Sequence, residues 1–262
     1  MLTIALAQMD VNAGQSDANL ARARVLCAQA RDTGAELILL PELWLHGYDL
    51  AHAARWAAPV GDGGFAAMAS LAQEFGLYVA GSTLECHEEG VSNTAAFYAP
   101  DGELLGAYRK VHLFRLMSEH HYLVPGNHLV LCDSPWGPVG LAICYDLRFP
   151  ELFRALALAG AMLILVPAQW PTKRLNAWLL MVRARAAENE LFVAACNRVG
   201  QDGDVSFPGQ SLVANPLGEA VVNGDDRDRP FIARVDLDDV SAARRYLPVF
   251  EDRRPGAYRL AE

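Results

Sequence analysis

Val139-Gly140-Leu141-Ala142-Ile143-Cys144, running on into Tyr145-Asp146-Leu147-Arg148-Phe149-Pro150-Glu151, decides how this chain folds. The apolar run 139–143 is strand-sized and ends at a cysteine. Pro150 suits the first turn of a helix, where a missing N–H costs nothing, so a helix is predicted over 150–159. A strand follows at 162–166, ending at Pro167. Leu175, Trp178, Leu179, Val182 and Ala186 then form a helical stripe, and 191–196 reads as another strand. The theme also recurs upstream: a strand at 3–8, a helix capped by Ser16 or Asp17 and carrying Leu20, Ala23, Cys27 and Ala30, a stop at Gly34, and an aliphatic strand at 37–40. Phe65, Met68, Leu71 and Phe75 mark a further helix closed by Gly76. Strands are expected at 77–83 and 93–99, with Asp101-Gly102 turning into 104–108. Near the end a hairpin turns at 215–218 between 211–214 and 220–222, and 231–235 is the last strand. Strand–helix–strand units in both halves predict an α/β fold. No linker or low-complexity stretch interrupts residues 1–262, so a single domain is expected. From Ser241 onward the chain is charged and rich in Pro and Arg, a segment able to reach onto a partner subunit.

Of the 262 residues, 52% are hydrophobic and 20% charged, enough to bury a full core. The net charge of −9 argues against nucleic acid or an anionic membrane as main partner, since phosphate binding needs clustered Lys and Arg. No run approaches the roughly 18 apolar residues that cross a bilayer. Met1-Leu2-Thr3-Ile4 lacks the basic region and cleavage site of a signal peptide. Cys27, Cys86, Cys132, Cys144 and Cys196 are odd in number and irregular in spacing, which fits reduced thiols in the cytoplasm better than a disulfide framework.

Three reactive residues fall just past predicted strand ends: Glu42, Lys110 and Cys144. In open α/β sheets, sites gather at the carboxyl ends of strands, so one cleft can collect all three. Cys144 sits at a strand-to-helix turn, which pushes its side chain out of the sheet and leaves nearby N–H groups free to bind an oxyanion. Its thiol needs a neighbouring base or cation to become a nucleophile. Glu42, after Leu37-Ile38-Leu39-Leu40-Pro41, risks desolvation of its charge, which suits a general base. Taken singly, each has a plainer reading: a packed core cysteine, a solvated loop carboxylate and a surface lysine. The other four cysteines read as packing residues.

Three blocks resemble the signatures of the nitrilase superfamily of carbon–nitrogen hydrolases. They are Pro41-Glu42 before Trp44 and Gly47-Tyr48, Arg109-Lys110-Val111-His112-Leu113-Phe114, and Cys144 through Glu151. The likeness extends through Trp178 to Ser211, with Arg183-Ala184-Arg185-Ala186-Ala187-Glu188-Asn189 and Asn197-Arg198-Val199-Gly200. It implies a four-layer αββα sandwich and a Glu-Lys-Cys triad of Glu42, Lys110 and Cys144, with no metal or organic cofactor. It also implies homodimers or larger homo-oligomers packed through the helical layers. Glu119, ahead of Tyr122 and Pro125-Gly126, matches a second glutamate that orients the lysine or the substrate. The backbone N–H of Tyr145 matches an oxyanion donor. Phe114-Arg115-Leu116-Met117-Ser118-Glu119-His120 and Pro167-Ala168-Gln169-Trp170-Pro171 most resemble the omega-amidase branch, which acts on 2-oxoglutaramate and related monoamides.

A substrate carboxylate would need a cation. Arg148 is the candidate, with an ion pair to Asp146 or Glu151 as the alternative. Trp170 and Tyr48 are candidates for the pocket wall, or for core packing. A nitrile hydrolase, an N-carbamoyl amide hydrolase and a deaminated-glutathione amidase share the triad and stay open, as does a catalytically silent interaction module. His87-Glu88-Glu89, His120-His121 and His128 lack the helical His-x-x-x-His spacing of zinc proteases, and neither Gly-x-Ser-x-Gly nor a phosphate loop is present.

Overall fold

In the computed structural model, which describes residues 1–258, the alternation of apolar residues along the strands resolves into two faces. On β1 (Leu2–Gln8), Leu2, Ile4 and Leu6 join one buried cluster while Ala5 and Ala7 join another. On β2 (Leu37–Leu39) the flanking leucines go one way and Ile38 the other. This is the period-2 signature of a sheet covered on both sides.

The first sheet has the order β14-β1-β2-β3-β4-β5. Its further strands are β3 (Tyr78–His87), β4 (Gly90–Tyr98), β5 (Leu104–Arg109) and β14 (Arg229–Val235). The second has the order β13-β12-β9-β8-β7-β6. It is built from β6 (Leu131–Cys132), β7 (Val139–Leu141), β8 (Leu163–Ala168), β9 (Phe192–Asn197), β12 (Leu212–Ala214) and β13 (Ala220–Asn223). A small ribbon pairs β10 (Val199–Asp202) with β11 (Val205–Pro208). Each large sheet has a parallel core, β1-β2-β3 or β7-β8-β9, flanked by antiparallel strands.

Helices α1 (Ser16–Asp32) and α3 (Gly63–Phe75) cover the outer face of the first sheet through Ala23, Leu26, Phe65, Met68 and Leu71. Between them in sequence lies a single-turn helix, α2 (Ala53–Trp56), and beyond them another, α4 (Glu119–Tyr122). Helices α5 (Pro150–Leu158) and α6 (Leu175–Asn189) cover the second sheet through Leu152, Phe153, Leu156, Trp178 and Val182. The two sheets pack face to face, β1 and β2 against β9 and β3 against β8. The result is the expected αββα sandwich. No helix among the described residues is long and apolar enough to cross a membrane.

The structure departs from the sequence reading in a few places. Neither Ser16 nor Asp17 caps α1: the helix already includes Ser16, and Gln15 stands at the cap without a side-chain hydrogen bond. The strand expected at 162–166 continues through Pro167 to Ala168. A proline is tolerated there because its neighbours β7 and β9 need no donor from that position. The segment from Ser241 is not wholly irregular, since α7 (Asp238–Tyr246) reaches into it with Val240 buried. The last part of that segment, 259–262, lies outside the described residues.

Candidate active site

The carboxyl ends of β2, β5, β7 and β8 converge where the two sheets meet. Glu42 follows β2, and both its oxygens are occupied. Oε1 accepts from Lys110 Nζ at 2.7 Å and from Asn93 Nδ2 at 2.8 Å, and Oε2 accepts from the Gln169 N–H at 2.9 Å. Lys110 follows β5. Its ammonium is fully buried and also donates to Glu119 Oε1 at 2.7 Å. Glu119 in turn accepts from the Tyr48 hydroxyl at 2.6 Å and, through Oε2, from the Phe114 N–H at 2.7 Å. Burial alone would lower the Lys110 pKa, but Glu119 and Glu42 outweigh it and hold the pKa above its ordinary value. The lysine is therefore a fixed positive charge. Close backbone packing helps to place it: the Gly126 N–H donates to the Lys110 carbonyl at 2.9 Å, and any Cβ at Gly126 would run into the Arg109 carbonyl.

Cys144 opens a 3₁₀ turn, Cys144–Arg148, between β7 and α5. Its φ of +42° is a conformation that side chains with a Cβ rarely adopt, and the turn is held by Asp146. The Asp146 carboxylate is fully buried. Oδ2 accepts from the Ile143 N–H at 2.8 Å and the Tyr108 hydroxyl at 2.8 Å, while Oδ1 accepts from the His112 N–H at 3.2 Å and lies 2.8 Å from His112 Nδ1. The His112 ring stacks on Phe149 at 3.5 Å. Burial pushes the Cys144 thiol well above its ordinary pKa. Glu42 adds to that shift, and Lys110 and the Gln169 N–H oppose it. The Gln169 N–H donates to Glu42 Oε2 at 2.9 Å and also counters the rise at the sulfur. The Tyr145 N–H lies in the first turn of the 3₁₀ segment, where donors have no acceptor within the helix.

A cavity beside the sulfur is lined by Phe114, Tyr145, Arg148, Gln169, Trp170 and Arg174, among others. Arg148 pairs with neither Asp146 nor Glu151: its guanidinium lies 5.2 Å above the Trp170 ring, and Asp146 is fully engaged elsewhere. Tyr48 reaches the site through its hydroxyl, not as an aromatic wall of this cavity. Burial, Glu119, Glu42 and Cys144 all raise its pKa.

Several residues that sequence reasoning did not single out shape this cluster. Gln169 donates Nε2 to the Glu42 carbonyl at 2.7 Å and accepts from Arg198 at 3.2 Å; that buried guanidinium also pairs with Asp10 at 2.7 Å. Asn197 clamps Trp170 by accepting its N–H and donating to its carbonyl. Asn93 enters from the neighbouring strand. Gln169, directly after the aliphatic strand β8, obeys the same strand-end rule that picked out Glu42 and Cys144. No three His, Cys, Asp or Glu side chains among the described residues are grouped so as to hold a metal ion.

Residues 3–245 match the carbon–nitrogen hydrolase family. The chain is 35% identical over 257 residues to 2-oxoglutaramate amidase of Bacillus subtilis (strain 168), covering 98% of this chain and 99% of that protein. It is 32% identical to omega-amidase NIT2 of Bos taurus, covering 97% and 96%. Among solved structures it superposes with a TM-score of 0.90 and 28% identity on XC1258 from Xanthomonas campestris, a CN-hydrolase superfamily protein with an arsenic adduct in its active site, over 99% of each chain. The chain belongs to the carbon–nitrogen hydrolase family of the nitrilase superfamily, enzymes that cleave carbon–nitrogen bonds other than peptide bonds.

Proposed function

We propose that this chain is an amidase of the omega-amidase type, releasing ammonia from a small monoamide such as 2-oxoglutaramate through a Cys144 thioester. One observation carries the proposal: a buried ammonium locked between two carboxylates, close enough to act electrostatically on a cavity-lining cysteine in a strained turn. The resting thiol is protonated, because burial and Glu42 raise its pKa, so the proton leaves only as the sulfur attacks. Glu42 takes it on Oε2, which keeps a lone pair beyond the one used by Gln169. The S–C bond forms, and the carbonyl oxygen gathers charge against Lys110 and the Tyr145 N–H. Such preorganised donors are worth about 3 kcal/mol each in the transition state. Glu119 orients Lys110. Glu42 returns the proton to the departing nitrogen and ammonia leaves. Water then loses a proton to Glu42 and attacks the thioester; the C–S bond breaks, Glu42 returns the proton to the sulfur, and the acid leaves.

The relatives named 2-oxoglutaramate amidase and omega-amidase NIT2 favour an amide over a nitrile or a carbamoyl group. The test is ammonia release from 2-oxoglutaramate, succinamate, N-carbamoyl amino acids and short nitriles. Cys144→Ala should abolish turnover of whichever is cleaved, and full turnover by that variant would overturn the mechanism. We further propose that the chain is one carbon–nitrogen hydrolase domain, since the main buried cluster runs from Leu2 to Val240. Its cysteines are all free, which supports a cytoplasmic setting. Exposed Leu180, on α6, and Leu217, which borders the same surface groove, support a homodimer through the helical layer, to be checked by sedimentation.

A further inference from the structure

The proposed base, like the proposed nucleophile, sits on strained backbone. Leu43, directly after Glu42, has a φ of +45°, a conformation that leucine rarely adopts. That angle sets the tilt of the peptide plane joining it to Glu42, and both polar groups of the plane are gripped by side chains. The Leu43 N–H donates to the buried Ser82 hydroxyl at 2.9 Å, and the Glu42 carbonyl accepts from Gln169 Nε2 at 2.7 Å. The Gln169 amide has one workable orientation. A carbonyl only accepts and a guanidinium only donates, so Nε2 must face Glu42 while Oε1 faces Arg198 Nη1 at 3.2 Å. The guanidinium is fixed on its other edges too. Nε donates to the Val199 carbonyl at 3.0 Å, Nη2 donates to Asp10 Oδ1 at 2.7 Å, and the central carbon lies 4.4 Å from the Phe207 ring centre. Its side chain is fully buried, yet it does not line the cavity beside the sulfur. A buried charge is costly to keep, and none of the proposed chemical steps uses this one.

We infer that Arg198 is a positioning residue for the base: through Gln169 it holds the Glu42–Leu43 peptide in its strained setting and so keeps the Glu42 carboxylate within reach of the Cys144 thiol. The inference rests on the amidase reading above, in which Glu42 takes the thiol proton. The relay crosses the seam between the sheets twice, since Asp10 and Glu42 follow strands of one sheet while Arg198 and Gln169 follow strands of the other.

The experiment follows alkylation of Cys144 by iodoacetamide, read by mass spectrometry on the peptide that carries it, from about pH 7 to about pH 9, in the wild type, Arg198→Met and Arg198→Lys. With Glu42 in place the proton leaves as the sulfur attacks, so the wild-type rate should change less than about threefold over that range. With the carboxylate displaced, only the thiolate already present reacts, and below its pKa that fraction climbs about tenfold per pH unit. Arg198→Met should follow that climb. On whichever amide the wild type cleaves, it should also lose about tenfold or more in kcat, with KM within about twofold. Arg198→Lys should recover part, because one ammonium lacks the fork that spans both Gln169 and Asp10. A fold merely loosened would scale the whole pH profile down without tilting it, and that result, or an unchanged profile, overturns the relay. If Arg198→Met gives no folded protein, Gln169→Met, which keeps the guanidinium on Asp10, decides by the same tilt. A flat wild-type profile with no ammonia released from any amide sinks the amidase reading, while the tilt in the variants still judges the relay. A wild-type profile that itself climbs as steeply removes both the role of Glu42 and the relay.

Discussion

Replacing Asp146 by Asn tests how the turn at Cys144, the proposed nucleophile, is held. The carboxylate accepts from four groups, two on each oxygen: the Ile143 N–H with the Tyr108 hydroxyl, and the His112 N–H with the His112 ring. Asn keeps one accepting oxygen and presents an NH2 to the other pair. In either orientation one member of that pair can adapt, because the Tyr108 hydroxyl can turn and the His112 ring can change tautomer. The backbone N–H beside it cannot. One buried N–H is therefore left without an acceptor, a cost of about 1–3 kcal/mol, and the surviving bonds lose a charged acceptor. A total of about 2–4 kcal/mol is expected from urea unfolding at constant slope. Where the amide nitrogen faces Ile143, that anchor is lost, the φ of +42° at Cys144 relaxes and the sulfur moves; in the other orientation the His112 side of the clamp opens instead. Since about 1 Å of misplacement can cost on the order of a hundredfold in rate, kcat should fall about that much, measured by ammonia release. A variant that unfolds at the wild-type urea midpoint and turns over at the wild-type rate would refute the reasoning.

Lys110→Met should destabilise the fold by about 3–5 kcal/mol, because it leaves Glu42 and Glu119 buried and facing each other; adding Glu119→Gln should recover part of that in the same urea assay. Gly126→Ala should cost about 1–3 kcal/mol by pressing on the Arg109 carbonyl, with a lowered thermal midpoint and weaker turnover, since Lys110 is the next residue. His46, packed on Trp56, is pushed down to about 4 by burial, with Asp49 opposing. Its folded pKa lies below its unfolded one, so the unfolded chain binds more protons between the two. The stability it contributes is present above about 6.5 and lost as pH falls toward 4, up to about 3 kcal/mol. The gap between urea midpoints at about pH 7 and pH 5 should narrow in His46→Gln, and an unchanged gap would remove His46 as the cause.

The strands were legible because their apolar periodicity reflects burial on two faces, and β2 and β7 were readable as short runs ending at Glu42 and Cys144. Helix α7 was not: Val240 is its only buried residue, so no stripe shows. Its acidic first turn, Asp238-Asp239, and basic last turn, Arg244-Arg245, were the available signal. The reactive residues announced themselves by chemistry at strand ends. Gln169 shared the strand-end position, but the other supports gave no such signal, because Asn93, Asp146 and Asn197 are ordinary polar residues until a distant segment supplies their partners: Asn93 meets Glu42 from another strand, and Asp146 meets Tyr108 and His112. β10 and β11 escaped notice because each is four residues long and half exposed, too short for the alternation of Val205 and Phe207 to stand out.

Glu42 and Lys110 hang from one sheet, while Cys144 and Gln169 hang from the other. Reactivity is thus a property of the seam. A chain still emerging from the ribosome, or one cut between the halves, carries Cys144 without Glu42 and Lys110 beside it. On the proposed mechanism hydrolysis switches on only when the two slabs clasp, so the rate of appearance of activity during refolding should time the last docking event.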